Sequence, residues 1–252
     1  MLDAWKALWF LESRIYSRRF LVEGLGTVFL GLVLFTLFVL FQKATFASSL
    51  NSNYTIQAFV DTLVLVMVLT AYEAITNFYW QARYGHRMGA LYLFGLRKGE
   101  GTIFWAETLI ALLKSGVHVF LTALLLVLLT TTPQLRLNLQ GTIVFALAGV
   151  LQVIVMSKIL GACIRSRFIV QYFFLLVMFP LLLLSGLYLG RPGPIAKLGT
   201  LSQYLPPYNW LQGLHQTVLL GHIDYTILFI CIVETAILLW IQRFLGILDE
   251  NR

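Results

Sequence analysis

The chain is short of charge and of cysteine. Of its 252 residues only 12% are Asp, Glu, Lys or Arg, and two are cysteines, Cys163 and Cys231. A soluble domain carries about 25% charged residues, so a solvated surface of ordinary extent cannot be made from this composition. The two thiols lie inside or at the ends of apolar runs, with no second Cys or His at ligand spacing. That excludes a disulfide-stapled scaffold and a thiolate metal site, and each cysteine reads as a small buried hydrophobe. The phosphate loop G-x-x-x-x-G-K-[ST] is missing, as are H-E-x-x-H, C-x-x-C and G-x-S-x-G. His86, His118, His215 and His222 never fall three or four residues apart. Ser185 suggests an intramembrane serine hydrolase only until a histidine is sought in the last apolar run, which has none. No catalytic residue and no metal ligand is expected, so the chain is not an enzyme by itself.

What is present is apolar. Hydrophobic residues make up 59% of the chain and the mean hydropathy is +0.84, more than a core of this size can enclose. A polytopic, all-α membrane protein follows, and the net charge of +7 calls for a membrane explanation before a nucleic-acid one. A helix needs about 20 mostly apolar residues to cross a bilayer. Six stretches qualify, near 22–41, 57–80, 103–130, 141–163, 168–190 and 226–247, and Pro180 predicts a kink in the fifth.

Orientation follows from the cations. Lys6, Arg14, Arg18 and Arg19 precede the first span, and Arg83, Arg87, Arg97 and Lys98 lie between the second and third. Lys158, Arg165 and Arg167 read as a loop between the fourth and fifth, and Arg243 and Arg252 as the C-terminal end. The alternate loops hold only Lys43, Arg136, Arg191 and Lys197. Both termini are therefore expected in the cytoplasm of a multi-pass protein of the cell (inner) membrane. Trp80, Trp105 and Trp240 sit near the predicted cytoplasmic ends, where interfacial tryptophans belong. Acidic residues and no small-residue cleavage site in the first 20 residues argue against a removable signal peptide.

Three segments are neither spans nor tight turns. Residues 2–20 interleave Leu2, Trp5, Leu8, Trp9 and Ile15 with charges, as an amphipathic helix in the headgroup plane does. Residues 81–102 form a basic loop with an apolar centre. Residues 191–225 are too apolar for an external loop, carrying Leu198, Leu201, Leu205, Trp210, Leu211 and Leu214 among others. They read as a re-entrant hairpin before the last span, packed on protein.

Ionisable residues inside spans are costly and so informative. Glu73 and Lys114, on consecutive spans, form a candidate buried pair, with Glu107 two turns from Lys114 on nearly the same face. Glu234 is a third intramembrane carboxylate. A packing role for the pair and a proton-handling role are both open.

This order of parts resembles the membrane subunit of an ABC-2 type transporter, the permease family of drug, lipid and glycolipid exporters. The resemblance covers essentially all of 1–252 as a single transmembrane domain. Its most specific stretch is Leu184-Ser185-Gly186-Leu187-Tyr188, then Pro192 and Pro194, then Tyr204-Leu205-Pro206-Pro207-Tyr208, which looks like that family's signature after span five. The drug and lipo-oligosaccharide branch is the nearer. Two positions differ: the coupling loop reads Arg83-Tyr84-Gly85-His86-Arg87-Met88-Gly89-Ala90 without the family's acidic residue, and His215 stands where the family tends to carry arginine.

The resemblance implies an ATP-driven exporter of an amphipathic, lipid-like or glycolipid substrate. ATP and Mg would be bound by a separate nucleotide-binding subunit, none by this chain. The other partners would be a second permease copy, identical or homologous, and membrane lipid, with no nucleic acid. Arg83, Arg87, Gly89, Leu91, Phe94, Arg97 and Lys98 would contact the ATPase. Phe174, Met178, Ser185, Gly186, Tyr188, Tyr204, Pro206 and His215 would line the gate or translocation path. Two other readings stay open: a proton-coupled secondary carrier, for which no internal repeat is visible, and a non-transporting membrane scaffold.

Overall fold

A computed structural model describes residues 25–45, 52–84, 100–129, 138–163, 169, 172–185 and 206–250, all helix apart from short connections. The helices are α1 (Leu25–Thr45), α2 (Ser52–Tyr84), α3 (Glu100–Leu129), α4 (Leu139–Cys163), α5 (Phe179–Leu184), α6 (Pro206–His215) and α7 (Tyr225–Glu250). A π-helical turn, Phe174–Met178, leads into α5, and another, Gln216–Leu220, follows α6. The N-terminal interfacial segment, most of the 81–102 loop and the stretch 186–205 lie outside the described residues. α2 and α3 each run a turn further into the basic loop than hydropathy predicts, because its first and last residues are helical.

Among the described residues four helices are long and apolar enough to cross a membrane: Ile56–Thr76, Glu107–Leu128, Leu139–Leu160 and Tyr225–Phe244. Two shorter apolar stretches, Leu25–Leu37 and Phe174–Leu184, coincide with the predicted first and fifth spans. The molecule is an all-helical protein with the marks of a membrane protein.

α2 is the hub. About four-fifths of its apolar window is buried (78%), against 11% for α7, and it packs on α1, α3 and α4. Val64, Val68, Ala71, Tyr72 and Ile75 supply its core face. The approach of α1 is close: a Cβ on Gly31 would stand 2.8 Å from Val66. Exposed Leu, Ile and Phe on α1, α3, α5 and α7 are what lipid-facing helices present, since tails are as apolar as the side chains.

The expected kink at Pro180 takes a specific form. Proline has no N–H to donate and its ring crowds the carbonyl a turn back. The preceding turn widens to π geometry, with the Phe179 amide bonded to the Phe174 carbonyl, and Pro180 falls in the first turn of α5, where its missing donor costs little.

α6 lies antiparallel in a seam made by α4 and α7. Its fit depends on small residues placed one turn apart. Gly149 of α4 accepts the Trp210 indole, so close that a Cβ would be 2.6 Å from the ring, and Gly213 of α6 accepts the Phe145 ring in the same way. Further along, Gly141 faces Thr217 and Ile223. Small residues let helices approach where hydrophobic expulsion gives no drive. Gly213→Ala forces a methyl into the Phe145 ring, and overpacking of this kind is expected to cost about 1–3 kcal/mol. Thermal unfolding in micelles measures it, and Phe145→Leu added to Gly213→Ala should recover part of the loss.

Polar groups fix where α6 ends. Asn138 caps α4 by accepting the Gly141 amide at its Oδ1 (3.1 Å), while its own backbone N–H donates to Thr217 O (3.0 Å) and its side-chain Nδ2 donates to Gly221 O (3.2 Å). Gly221 closes the π turn in the left-handed region, φ 69°, which glycine adopts without strain. Asp224 then caps α7 through the amides of Thr226 and Ile227. α4 and α7 therefore start at the same end of the bundle, where α6 finishes.

Candidate functional site

The polar side chains buried in this apolar bundle form clusters at successive depths. Near the end where α4 and α7 start, His215 Nε2 of α6 lies 2.6 Å from Asp61 Oδ1 of α2, with Asp61 wholly buried. His215 is thus a contact that holds α6 on α2.

Midway along the bundle two clusters occur. Between α2 and α3, Thr70 Oγ1 lies 3.0 Å from His118 Nδ1. The Thr70 hydroxyl also lies 2.7 Å from Val66 O, and where it donates there, His118 Nδ1 supplies the hydrogen of its own contact with Thr70. Between α4, α6 and α7, Asn209 Nδ2 donates to Glu234 Oε1 at 2.6 Å. The Gln152 amide, wholly buried, points its nitrogen at three acceptors: Thr235 Oγ1 (3.3 Å), Glu234 Oε2 and Cys231 O (both 3.4 Å). Its oxygen, Oε1, is buried with no hydrogen-bond partner. Cys231 itself is a buried free thiol.

At the far end, Lys158 Nζ of α4 lies 2.8 Å from Glu107 Oε2 of α3, the two side chains 1% and 6% exposed. This corrects the sequence reading twice. Lys158 is a buried residue of α4 and not a cation of the loop that follows. Glu107 has Lys158 as its ion-pair partner, where the spacing grouped it with Lys114. The predicted fourth span, 141–163, already took in Lys158, and its second use as a loop cation is what fails: Ile159 and Leu160 continue the helix and remain partly buried.

Glu73 and Lys114 are both half-buried. The antiparallel register fixed by Thr70 and His118 brings them level across α2 and α3. Phe174 and Met178 are buried in the core, Phe174 tilted against Tyr72 with ring centroids 5.2 Å apart. Ser185 donates its hydroxyl to Leu181 O at 2.7 Å. Pro206 opens α6, and Arg83 lies in the last turn of α2. Arg87, Gly89, Leu91, Phe94, Arg97 and Lys98, with Gly186, Tyr188 and Tyr204, lie outside the described residues.

Sequence reasoning missed Gln152 and Asn209 as partners of Glu234, and Lys158 as a partner of Glu107. The signal for Gln152 was weak but present, as the strongest hydrogen-bonding side chain in the middle of the run from Gly141 to Ser157. Among the described residues no group of three or more His, Cys, Asp or Glu is placed to hold a metal ion. No protein-family model, curated protein or solved structure matches the chain.

Proposed function

We propose that this chain is the permease subunit of an ATP-driven ABC exporter, carrying an amphipathic, lipid-like or glycolipid substrate from the cytoplasmic leaflet outward. The observation that carries this reading is the seat of α6. Its first turn stands level with Gln152, about halfway along α4, and with Glu234, about a third of the way along α7, and it runs from there to the end where α7 begins. That is the returning limb of a segment entering the bilayer partway, as the sequence resemblance implies ahead of the last span. Backbone of this sort is tolerated only under cover of protein, and α2, α4 and α7 supply the cover.

In this reading Leu25–Leu37 and Phe174–Leu184 belong to spans one and five, giving six spans with both termini cytoplasmic in the inner membrane. Removing Lys158 from the loop cations leaves twelve on that side against four, so the orientation argument stands. Residues 2–20 lie in the headgroup plane. The 81–102 loop then emerges on the cytoplasmic side as an apolar knob with a basic rim, suited to a groove on a separate ATPase that binds ATP and Mg. A second permease copy completes the pathway, because six spans are few to enclose one.

Purification from native membrane in mild detergent tests this. An ATPase subunit is expected in stoichiometric amount, and Arg87→Glu combined with Phe94→Ala is expected to release it. Recovery of the chain alone across several detergents would overturn the assignment. The proton-coupled carrier draws support from the buried groups spaced along the bundle, Asp61 with His215, Thr70 with His118 and Glu107 with Lys158. It requires substrate movement driven by a pH gradient in proteoliposomes without ATPase. A scaffold would tolerate scrambling of 83–101 at constant charge.

A further inference from the structure

We infer that Glu234, with Asn209 and Gln152, is a binding site for the ammonium group of a lipid-soluble amine passing through the membrane. Three observations bear on it. The first is charge. Asp61 and Glu107 each have a basic partner on another helix. Glu234 is held by two neutral amides, and among the described residues no Lys, Arg or His reaches it. A carboxylate within a span is costly until a cation or a full set of donors balances it. Asn209 supplies one short bond, and the Gln152 bond at 3.4 Å is long.

The second observation is the acceptor excess. Around the Gln152 amide lie Glu234 Oε2, Thr235 Oγ1 and the Cys231 carbonyl, and its own Oε1 has no partner. The Cys231 carbonyl already accepts from the Thr235 hydroxyl (2.7 Å), but Gln152 Oε1 has no donor and Glu234 Oε2 only a long one, and an ammonium group carries three.

The third is access and depth. On α7, Cys231 and Thr235 face the core while Ile230, Val233 and Ile237 are exposed. Glu234 lies on the border between these faces and is half-buried, so it can be approached from the apolar surface of the bundle. It stands about 14 Å along α7 from Tyr225, near the middle of a hydrocarbon layer about 30 Å thick. Resident lipid headgroups do not lie at that depth, so the cation that meets Glu234 is one in transit. The apolar surface beside it suits an alkyl tail.

The inference deepens the exporter reading by naming a substrate class, and its test does not need the ATPase. The chain, reconstituted in phosphatidylcholine nanodiscs, is titrated with dansyl-tagged dodecylamine, and energy transfer from tryptophan is read. Saturable transfer is expected, displaced by dodecylamine and not by dodecanol. Glu234→Gln is expected to weaken binding by about tenfold or more, while Glu234→Asp, which keeps the charge, retains most of it. Equal displacement by amine and alcohol in the wild-type chain, which requires no variant to fold, would overturn the site, as would unchanged binding in a folded Glu234→Gln. Amine binding by a chain that captures no ATPase leaves this site standing and removes the exporter reading. ATPase capture without selective amine binding does the reverse.

Discussion

Lys158→Met is expected to lower the stability of the folded chain by about 3–5 kcal/mol, the usual cost of stranding one member of a buried ion pair. Methionine keeps the apolar stem, so packing around the Lys158 aliphatic chain survives. What is lost is the countercharge 2.8 Å from Glu107, whose side chain is only 6% exposed. Glu107→Gln alone strands the ammonium and is expected to cost a similar amount. The double variant Glu107→Gln with Lys158→Met removes both charges and should recover most of the loss, because neither desolvated charge is then left without its partner. Thermal unfolding of the four proteins in one detergent gives the coupling directly. Additive losses in the double variant would mean that the pair is not a unit.

The distance between sequence and fold is well illustrated by these two residues. Each was visible as an ionisable group in or near an apolar run, but a partner on another helix depends on rotation and register, which hydropathy does not contain. Helix length was legible because a 20-residue apolar run permits few alternatives, and α3, α4 and α7 begin within a few residues of expectation. The π turn ahead of Pro180 was legible as a kink and not as π geometry, since proline states which bonds are lost and not how the chain compensates. The stretch around α6 betrayed itself by composition: Trp210, Leu211 and Leu214 are buried, as a segment too apolar for water must be. Its seat was not legible, because Gly141, Gly149 and Gly213 acquire meaning only once the Thr217, Trp210 and Phe145 side chains are opposite them. Glu234 stood out as a carboxylate within a span, and its amide partners come from segments 82 and 25 residues away in the chain.

Asp61→Leu is expected to loosen α6 at the end where the bundle closes. Leucine, larger than aspartate, leaves no cavity and adds some crowding, and His215 Nε2 loses an acceptor at 2.6 Å in a site where Asp61 is wholly buried. A stranded buried polar group costs about 1–3 kcal/mol, and more where charge is involved. Asp61→Asn keeps an oxygen facing an Nε2–H donor and is expected to cost much less. The location decides how the loss is expressed. α6 is held at its start by Asn209 on Glu234 and at its finish by the contacts of Asn138 with Thr217 and Gly221, with His215 between them the tie to α2. Amide hydrogen exchange across 206–220 is therefore expected to quicken in Asp61→Leu, with α3 and the Lys158 end of α4 little changed. Uniform quickening along the chain would assign the pair to global stability alone. A selective effect on 206–220 would make Asp61 and His215 the latch by which the central helix positions α6.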